Sequence, residues 1–464
     1  MAENIFKMSD YLVNKQSIKK GYLHSLAYSS PIIGYMILVA PMAVLGGIYA
    51  KYFGLSFATI SIAMLIAKIF DAITDPIIGI CSDFLKSRTG SRKPMILTGG
   101  VLLIISSWFL YVPVLPIGFS YFILCYLFFY AAFTLFLIPY MAWVNEFTAD
   151  TQEKTLAISC YSVAGQIGHG LFYLLPLFPY FSSNDITPEV LRFCVIIGGV
   201  IFLLGLVIAI MFVPDGITLN SEKKSSSRID KSLVRNIVNA VLSNRPFLIY
   251  SGILIFHAIA FGMYSGIFFI FVDTYLQLGH IFAQLTLWGS VVAGISVIFW
   301  YRMIIYLGKR LMLLIVYGVL LCVYMMMGML EKGEVSFSIL LGLNLISLVA
   351  GVAGGIINAS LLCDIIDYDQ LKNATIRSGL FFSMQNLISK FFGAIGSAVA
   401  LAIISWFGYE SVSLAHNESS IMSIRYALSW IPSFFLFIAI LFICRISIDE
   451  RRVNIIRRRL ALRS

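Results

Sequence analysis

The sequence predicts an all-α membrane protein of twelve transmembrane helices in two pseudo-symmetric six-helix bundles. Three observations predict it. Of 464 residues, 59% are hydrophobic and only 12% charged, far more apolar surface than a water-soluble globule accommodates. The apolar residues gather into twelve runs, each long enough to cross a bilayer. The basic residues fall overwhelmingly on one side of those runs.

The runs lie at 25–52, 56–84, 94–116, 119–146, 153–181 and 189–213, then at 246–275, 281–306, 311–330, 336–365, 376–408 and 421–445. Threading them with the N-terminus inside leaves 27 of the 33 Lys and Arg on the cytoplasmic side. The exceptions are Lys51, Arg192, Lys332 and Arg425 outside, and Lys68 and Lys390 within runs. Basic residues in short loops resist translocation, so both termini are expected in the cytoplasm, with the protein in the plasma (inner) membrane. The net charge of +10 is then a topology signal, and nucleic acid is not an expected partner. The first 20 residues, with Lys7, Lys15, Lys19 and Lys20, show no short apolar core followed by a small-residue cleavage site. The first span is therefore expected to be the targeting element. The seven cysteines lie in or beside spans, form no CxxC pair, and are expected to be small packing residues.

The longest polar interruption, 214–245, is expected to be a cytoplasmic linker between an N-terminal bundle at 1–213 and a C-terminal bundle at 246–445, followed by a basic tail at 446–464. Within the linker, Leu233, Ile237, Val241 and Leu242 share one helical face flanked by Lys231, Arg235 and Arg245, a pattern suited to a short helix on the inner leaflet. A solvated linker fits the same residues. The loop after the second span reads Gly79-x-x-x-Asp83 and then Arg88-x-Gly90-x-Arg92-Lys93, and the second half echoes it at Gly308-Lys309-Arg310. Asp83, Arg88, Arg92 and Lys93 are its candidate gating residues. Two related bundles around a midplane site suit a rocking transporter, whereas plain inside-positive anchoring accounts for the charges alone. In the tail, Arg451, Arg452, Arg457, Arg458, Arg459 and Arg463 surround Val453, Ile455, Ile456, Leu460 and Leu462, so the segment is expected on anionic headgroups.

The chemistry concentrates in the second span. Asp71 and Asp75 sit one turn apart, and Lys68 joins them at three- and four-residue spacing, so all three share a face. A charged side chain at the centre of a spanning helix costs about 2.5–3.5 kcal/mol on the insertion scale, which makes this trio a functional candidate. Pro76 lacks an N–H and is expected to release the carbonyl of Ala72 beside the carboxylates. With Thr74 these oxygens form a hard cluster suited to Na+ or, in low dielectric, to a shared proton. A purely structural role has Lys68 or Lys390 neutralising the pair. Lys390, inside Gln385-Asn386-Leu-Ile-Ser-Lys390 of the eleventh span, needs an anionic partner, and Asp71 or Asp75 is the candidate. Gln166 and His169 on the fifth span, His257 on the seventh, and Asn344 and Asn358 on the tenth either face a cavity or bond a neighbouring helix. Gly351, Gly355, Gly393 and Gly396 are expected at close packing or hinges. No P-loop, HExxH or GxSxG occurs, so nothing supports an enzyme, a cofactor or a metal beyond a coupling Na+.

At Phe70-Asp71-Ala72-Ile73-Thr74-Asp75-Pro76-Ile77-Ile78-Gly79 the chain resembles the glycoside-pentoside-hexuronide:cation symporters, the melibiose-permease family of the major facilitator superfamily. The resemblance continues at Thr134-x-x-Leu137-Ile138-Pro139-Tyr140, at Asp364-Ile-Ile-Asp367-Tyr368 with Arg377-x-Gly379, and at Gln385 through Lys390. It implies the major facilitator fold, with Asp71, Asp75 and Thr134 as cation ligands. It also implies that Thr74 stands where the melibiose-permease pattern has asparagine, that Lys390 is the intramembrane lysine, and that Gln385, with Asn386 beside it, borders the solute. The departures fall on the sugar contacts: the family's galactoside-binding aspartates align with Tyr35 and Leu137, its tryptophan with Met141, and its arginine near Ile158. Side chains of that kind do not accept several sugar hydroxyls as carboxylates do.

The expected function is that of a monomeric cation-coupled (Na+ or H+) symporter moving a small hydrophilic solute such as a sugar, glycoside or uronate. Its substrate wall would draw on Tyr35, Leu137, Met141, Gln166, His169, Gln385 and Asn386. A related branch, the sodium-dependent lysophospholipid symporters, supplies the alternative of an amphipathic solute. A non-transporting membrane sensor is the alternative of another class.

Overall fold

Inside a bilayer every backbone N–H and C=O must be satisfied within the segment or by a closed sheet, so long apolar runs become helices. The computed structural model describes all residues except 1, 56, 115–116, 149, 182–185, 216–242, 279–281, 332–336, 374, 376, 408–417, 447–449 and 463–464. Among the described residues the regular elements are helices and no strand occurs. The chain divides into two compact units, Met1–Leu219 and Asn220–Ser464.

The first unit comprises α1 (Ala2–Val39), α2 (Leu45–Phe53), α3 (Phe57–Thr89), α4 (Lys93–Tyr111), α5 (Phe119–Val144), α6 (Thr151–Leu174) and α7 (Pro188–Phe212). α1 packs on α6 and α7, while α5 packs on α3 and α4. Polar residues mark the helix starts: the Asp150 carboxylate accepts the N–H of Gln152 ahead of α6, and the Thr187 hydroxyl accepts that of Val190 ahead of α7.

The second unit comprises α8 (Arg245–Ile270), α9 (Phe282–Leu307), α10 (Lys309–Gly328), α11 (Phe337–Asn373), α12 (Ser378–Trp406), α13 (Glu418–Arg425), α14 (Ile431–Cys444) and α15 (Glu450–Ala461). α8 packs on α12 and α14, and α11 packs on α9 and α10. The Asn244 side chain caps α8 by accepting the N–H of Phe247. By length and composition ten helices among the described residues suit a membrane crossing. The other two long ones, α3 and α6, interrupt their apolar runs with Lys68, Asp71 and Asp75 and with Gln166 and His169.

Four expectations need correction. The supposed loop after the second span is mostly helix: α3 runs through Asp83 and Arg88 to Thr89, and the connection is Gly90–Arg92. Gly90 (φ 78°) stops α3 in the left-handed region, and Gly308 (φ 80°) occupies the matching turn between α9 and α10. The basic tail does not spread its whole apolar face on headgroups. As α15 it turns Val453 and Ile456, each 7% exposed, inward and packs on α11. At about 1.5 Å per residue the 37-residue α11 is about 55 Å long, more than a core of about 30 Å covers, and its protruding end supplies the docking surface. Of the cysteines, all free, Cys194 and Cys363 are buried but Cys81, Cys322 and Cys444 are exposed and do not pack. The surface helix expected at 233–242 lies outside the described residues.

The fourth correction concerns glycine. A Cβ on Gly396 would lie 2.3 Å from the carbonyl oxygen of Ile259, and one on Gly168 would lie 2.3 Å from that of Ile33. Thus α12 against α8 and α6 against α1 use the same close contact in the two units. Gly351 and Gly355, expected to pack or hinge, meet nothing within 4 Å. Gly396→Val will destabilise the second unit by about 1–3 kcal/mol through backbone displacement. Gly351→Ala will leave the thermal midpoint in detergent unchanged; equal effects from the two would refute the distinction.

Candidate cation and solute site

The carboxylates of α3 lie deep in the first unit, with Asp71 3% and Asp75 0% exposed. On the facing helix α5, Thr134 donates its hydroxyl to Asp71 Oδ1 at 2.9 Å. Thr74, though nearer in sequence, turns its hydroxyl back on the Asp71 carbonyl at 3.4 Å and so serves its own helix. α3 continues unbroken past Pro76. Lys68 is exposed and makes no hydrogen bond or ion pair among the described residues. It does not neutralise the pair by direct contact.

Tyr35 of α1 is buried within electrostatic range of Asp71, its ring 5.3 Å from Phe136, 5.9 Å from Phe133 and 6.4 Å from Phe202. Leu137 and Met141 are half-buried at helical spacing from Thr134, which gives this stretch of α5 an apolar-aromatic character. Gln166 and His169 are half-buried on α6, with His169 edge-on to Tyr173 at 5.0 Å.

In the second unit Gln385, Asn386 and Lys390 are half-buried on α12. The Tyr250 hydroxyl of α8 lies 3.0 Å from Gln385 Oε1 and 3.0 Å from the Asn358 carbonyl. When it donates to Oε1, the amide is fixed with its two N–H donors directed elsewhere. Asn358 donates its amide to the Tyr317 hydroxyl at 3.1 Å, and His257 stacks on the Tyr317 ring at 4.8 Å. Asn344 bonds the Leu285 carbonyl at 3.1 Å, so it joins two helices.

A family model described as MFS/sugar transport protein matches residues 27–450. The chain belongs to that family. Among curated relatives of this MFS protein, an uncharacterized symporter, YnaJ, of Bacillus subtilis is 25% identical over 87% of each chain. The sodium-dependent lysophosphatidylcholine symporter 1-A of Danio rerio is 22% identical over 84% of this chain and 79% of its own. Among solved structures, the MFS transporter FucP in its outward conformation superposes with a TM-score of 0.65 over 93% of this chain and 99% of its own, at 14% identity. That match establishes the major facilitator fold. The protein is thus a membrane transporter of the symporter type and not an enzyme.

At the ends of its helices this MFS transporter carries ion clusters of which the sequence singled out Asp83 and Arg92 but not the shared partner Glu146. Arg92, 1% exposed, directs Nε to both oxygens of Glu146 at 3.0 Å and Nη2 to Oε1 at 2.8 Å, and it also bonds Ser82 and Asp83. Lys86 adds a second cation to Glu146 at 2.6 Å. Burial by itself would raise the Glu146 carboxyl, but Arg92 and Lys86 overcome it and hold the group at about 2. In the second unit Lys309 meets Asp364 at 2.6 Å, and Arg457 of α15 approaches the same carboxylate at 3.8 Å. Of the four candidate gating residues, Asp83 and Arg92 meet in one cluster. Lys93 instead lies 3.4 Å from Asp215, and Arg88 lies exposed over the Phe84 ring at 4.4 Å. Glu146 stood at the end of an apolar run, where a charge reads as a boundary. Its partners are 54 and 60 residues away.

Proposed function

We propose that the chain is a cation-coupled symporter, driven by Na+ or H+, that carries a small hydrophilic solute such as a sugar, glycoside or uronate by alternating access. The observation that carries this proposal is the burial of Asp71 and Asp75 one turn apart on a spanning helix, with Thr134 hydrogen-bonded to one of them. Two carboxylates one turn apart in a low-dielectric setting concentrate negative potential, and a cation or proton that binds there gains correspondingly. Lys390 supplies a mobile positive charge that responds to cation entry, and Gln385 and Asn386 contribute to the solute wall. The family description supports a sugar-like solute. The protein works as a monomer in the plasma (inner) membrane with both termini in the cytoplasm.

A second function, carriage of an amphipathic lysolipid, is favoured by the lysophosphatidylcholine relative and by the aromatic and aliphatic surroundings of Tyr35, Leu137 and Met141. Proteoliposomes with an imposed inward Na+ or H+ gradient test both. Uptake of labelled sugar or uronate that collapses with the gradient supports symport of a hydrophilic solute, and gradient-driven uptake of lysophosphatidylcholine supports the second function. Solute entry that ignores both gradients sinks cation coupling.

A further inference from the structure

The basic helix α15 takes no part in the transport proposal, and its two sides differ. With about 100° per residue, Val453, Ile456 and Leu460 fall within an arc of about 60°. Val453 and Ile456 are each 7% exposed and Leu460 is half-buried, and this side packs on α11. Arg457 borders it and approaches the Asp364 carboxylate at 3.8 Å. About 140° away lies a second arc, about 100° wide, that holds Arg451, Ile455, Arg458, Arg459 and Leu462. All five are exposed, Ile455 52% and Leu462 87%. Leu462 keeps the helical register because its N–H meets the Arg458 carbonyl at 3.2 Å and so extends the last turn. Residues 451–462 include no Asp or Glu, so nothing within this stretch neutralises the three arginines.

The level of α15 along the spanning helices decides what covers this second side. Asp364, which Arg457 approaches, pairs at 2.6 Å with Lys309, the first residue of the membrane-length helix α10. Arg310, next in α10, donates to the carbonyl of Cys444, where the membrane-length stretch Met422–Cys444 ends. Glu450, the start of α15, follows Cys444 by six residues, a reach of at most about 20 Å. Two membrane crossings therefore end beside α15, which puts the helix at the border of the hydrocarbon core. Arginines interleaved with exposed aliphatic side chains at that level suit anionic headgroups above acyl chains. We propose that α15 seats its outward side, Arg451, Arg458 and Arg459 with Ile455 and Leu462, on anionic phospholipid of the adjoining leaflet while its inward side stays docked on α11. The apolar residues of the tail then divide between two surfaces, Val453, Ile456 and Leu460 to protein and Ile455 and Leu462 to lipid. Lipid that holds the outward side also keeps Arg457 beside Asp364. The proposal is independent of the solute and of the coupling ion.

The test follows amide hydrogen exchange of α15 in the full-length protein, held in nanodiscs of phosphatidylcholine alone or with added phosphatidylglycerol. Phosphatidylglycerol is expected to slow exchange across 451–462 by about fivefold for each arginine, and so by up to about 100-fold, and about 1 M salt is expected to remove the slowing. The combined variant Arg451→Gln, Arg458→Gln and Arg459→Gln is expected to exchange at the phosphatidylcholine rate in both kinds of disc. Its thermal midpoint in phosphatidylcholine is expected to match the wild type, because the docked side is untouched. Lysine at the same three positions is expected to retain most of the slowing, since the attraction depends on charge. Lipid-free arms in detergent use glycerol phosphate and polyglutamate, and neither is expected to slow α15. Equal exchange of the wild type in the two kinds of disc overturns the proposal, as does slowing that the glutamine variant keeps. Slowing by glycerol phosphate to the extent given by phosphatidylglycerol overturns it in favour of a free-anion site, and slowing by polyglutamate in favour of an acidic protein partner. Each of these outcomes leaves the symport proposal where it stands.

Discussion

Asp71→Asn will reduce gradient-driven accumulation at least about 100-fold, to the background of empty vesicles, while the protein still inserts and purifies. The change keeps the shape of the side chain and leaves an acceptor for the Thr134 hydroxyl, now 2.9 Å from Oδ1, so packing between α3 and α5 survives. What it removes is the charge. One elementary charge moving down a membrane potential releases about 2.3 kcal/mol per 100 mV, and a symporter that no longer binds its ion cannot apply that energy to a second solute. Exchange of solute without a gradient is therefore affected less than accumulation. Thr134→Ala, which deletes one neutral donor to the carboxylate, will cost about tenfold in apparent cation affinity and leave coupling in place. Accumulation by Asp71→Asn at the wild-type level, measured under the same gradient, would remove this carboxylate from coupling.

The sequence made the acidic pair visible because a carboxylate in a spanning run carries a cost that selection does not retain without a use, and this signal needs no knowledge of packing. Which side chain turns inward was not visible in the same way. Lys68 and Asp71 are three residues apart on α3, yet one is exposed and the other 3% exposed, because the neighbouring helix covers only part of the shared face. Thr74 and Thr134 make the same point for ligands. The nearer hydroxyl is taken by its own backbone, and the one 63 residues away reaches the carboxylate. Small residues were equally ambiguous: Gly396 is pressed against a carbonyl and Gly351 faces open space, although both sit in helical runs of similar composition. Local sequence carries the helices and the charge that must be explained. Contacts between helices decide which groups meet.

Glu146→Ala will destabilise the first unit by about 3–5 kcal/mol, the cost of leaving a buried ion cluster without its counter-charge. Two cations depend on this carboxylate, Arg92 and Lys86, each no more than 2% exposed, and neither side chain has room to turn to water without opening the contact between the ends of α3, α4 and α5. Replacing all three together, Lys86→Met, Arg92→Met and Glu146→Leu, will recover most of the loss, since the desolvation of the charges disappears along with their attraction. The pH dependence has a definite sign. Glu146 is held at about 2 in the folded protein against an ordinary value of about 4.3, so its stabilising contribution is complete above the unfolded value and fades only as pH falls toward 2. The difference in thermal midpoint between wild type and Glu146→Ala is thus constant from about pH 5 to pH 8 and narrows below about pH 4. A midpoint for Glu146→Ala equal to that of the wild type at neutral pH would show that the cluster contributes nothing to stability, and a gap that closes near pH 6 would assign its titration to another group.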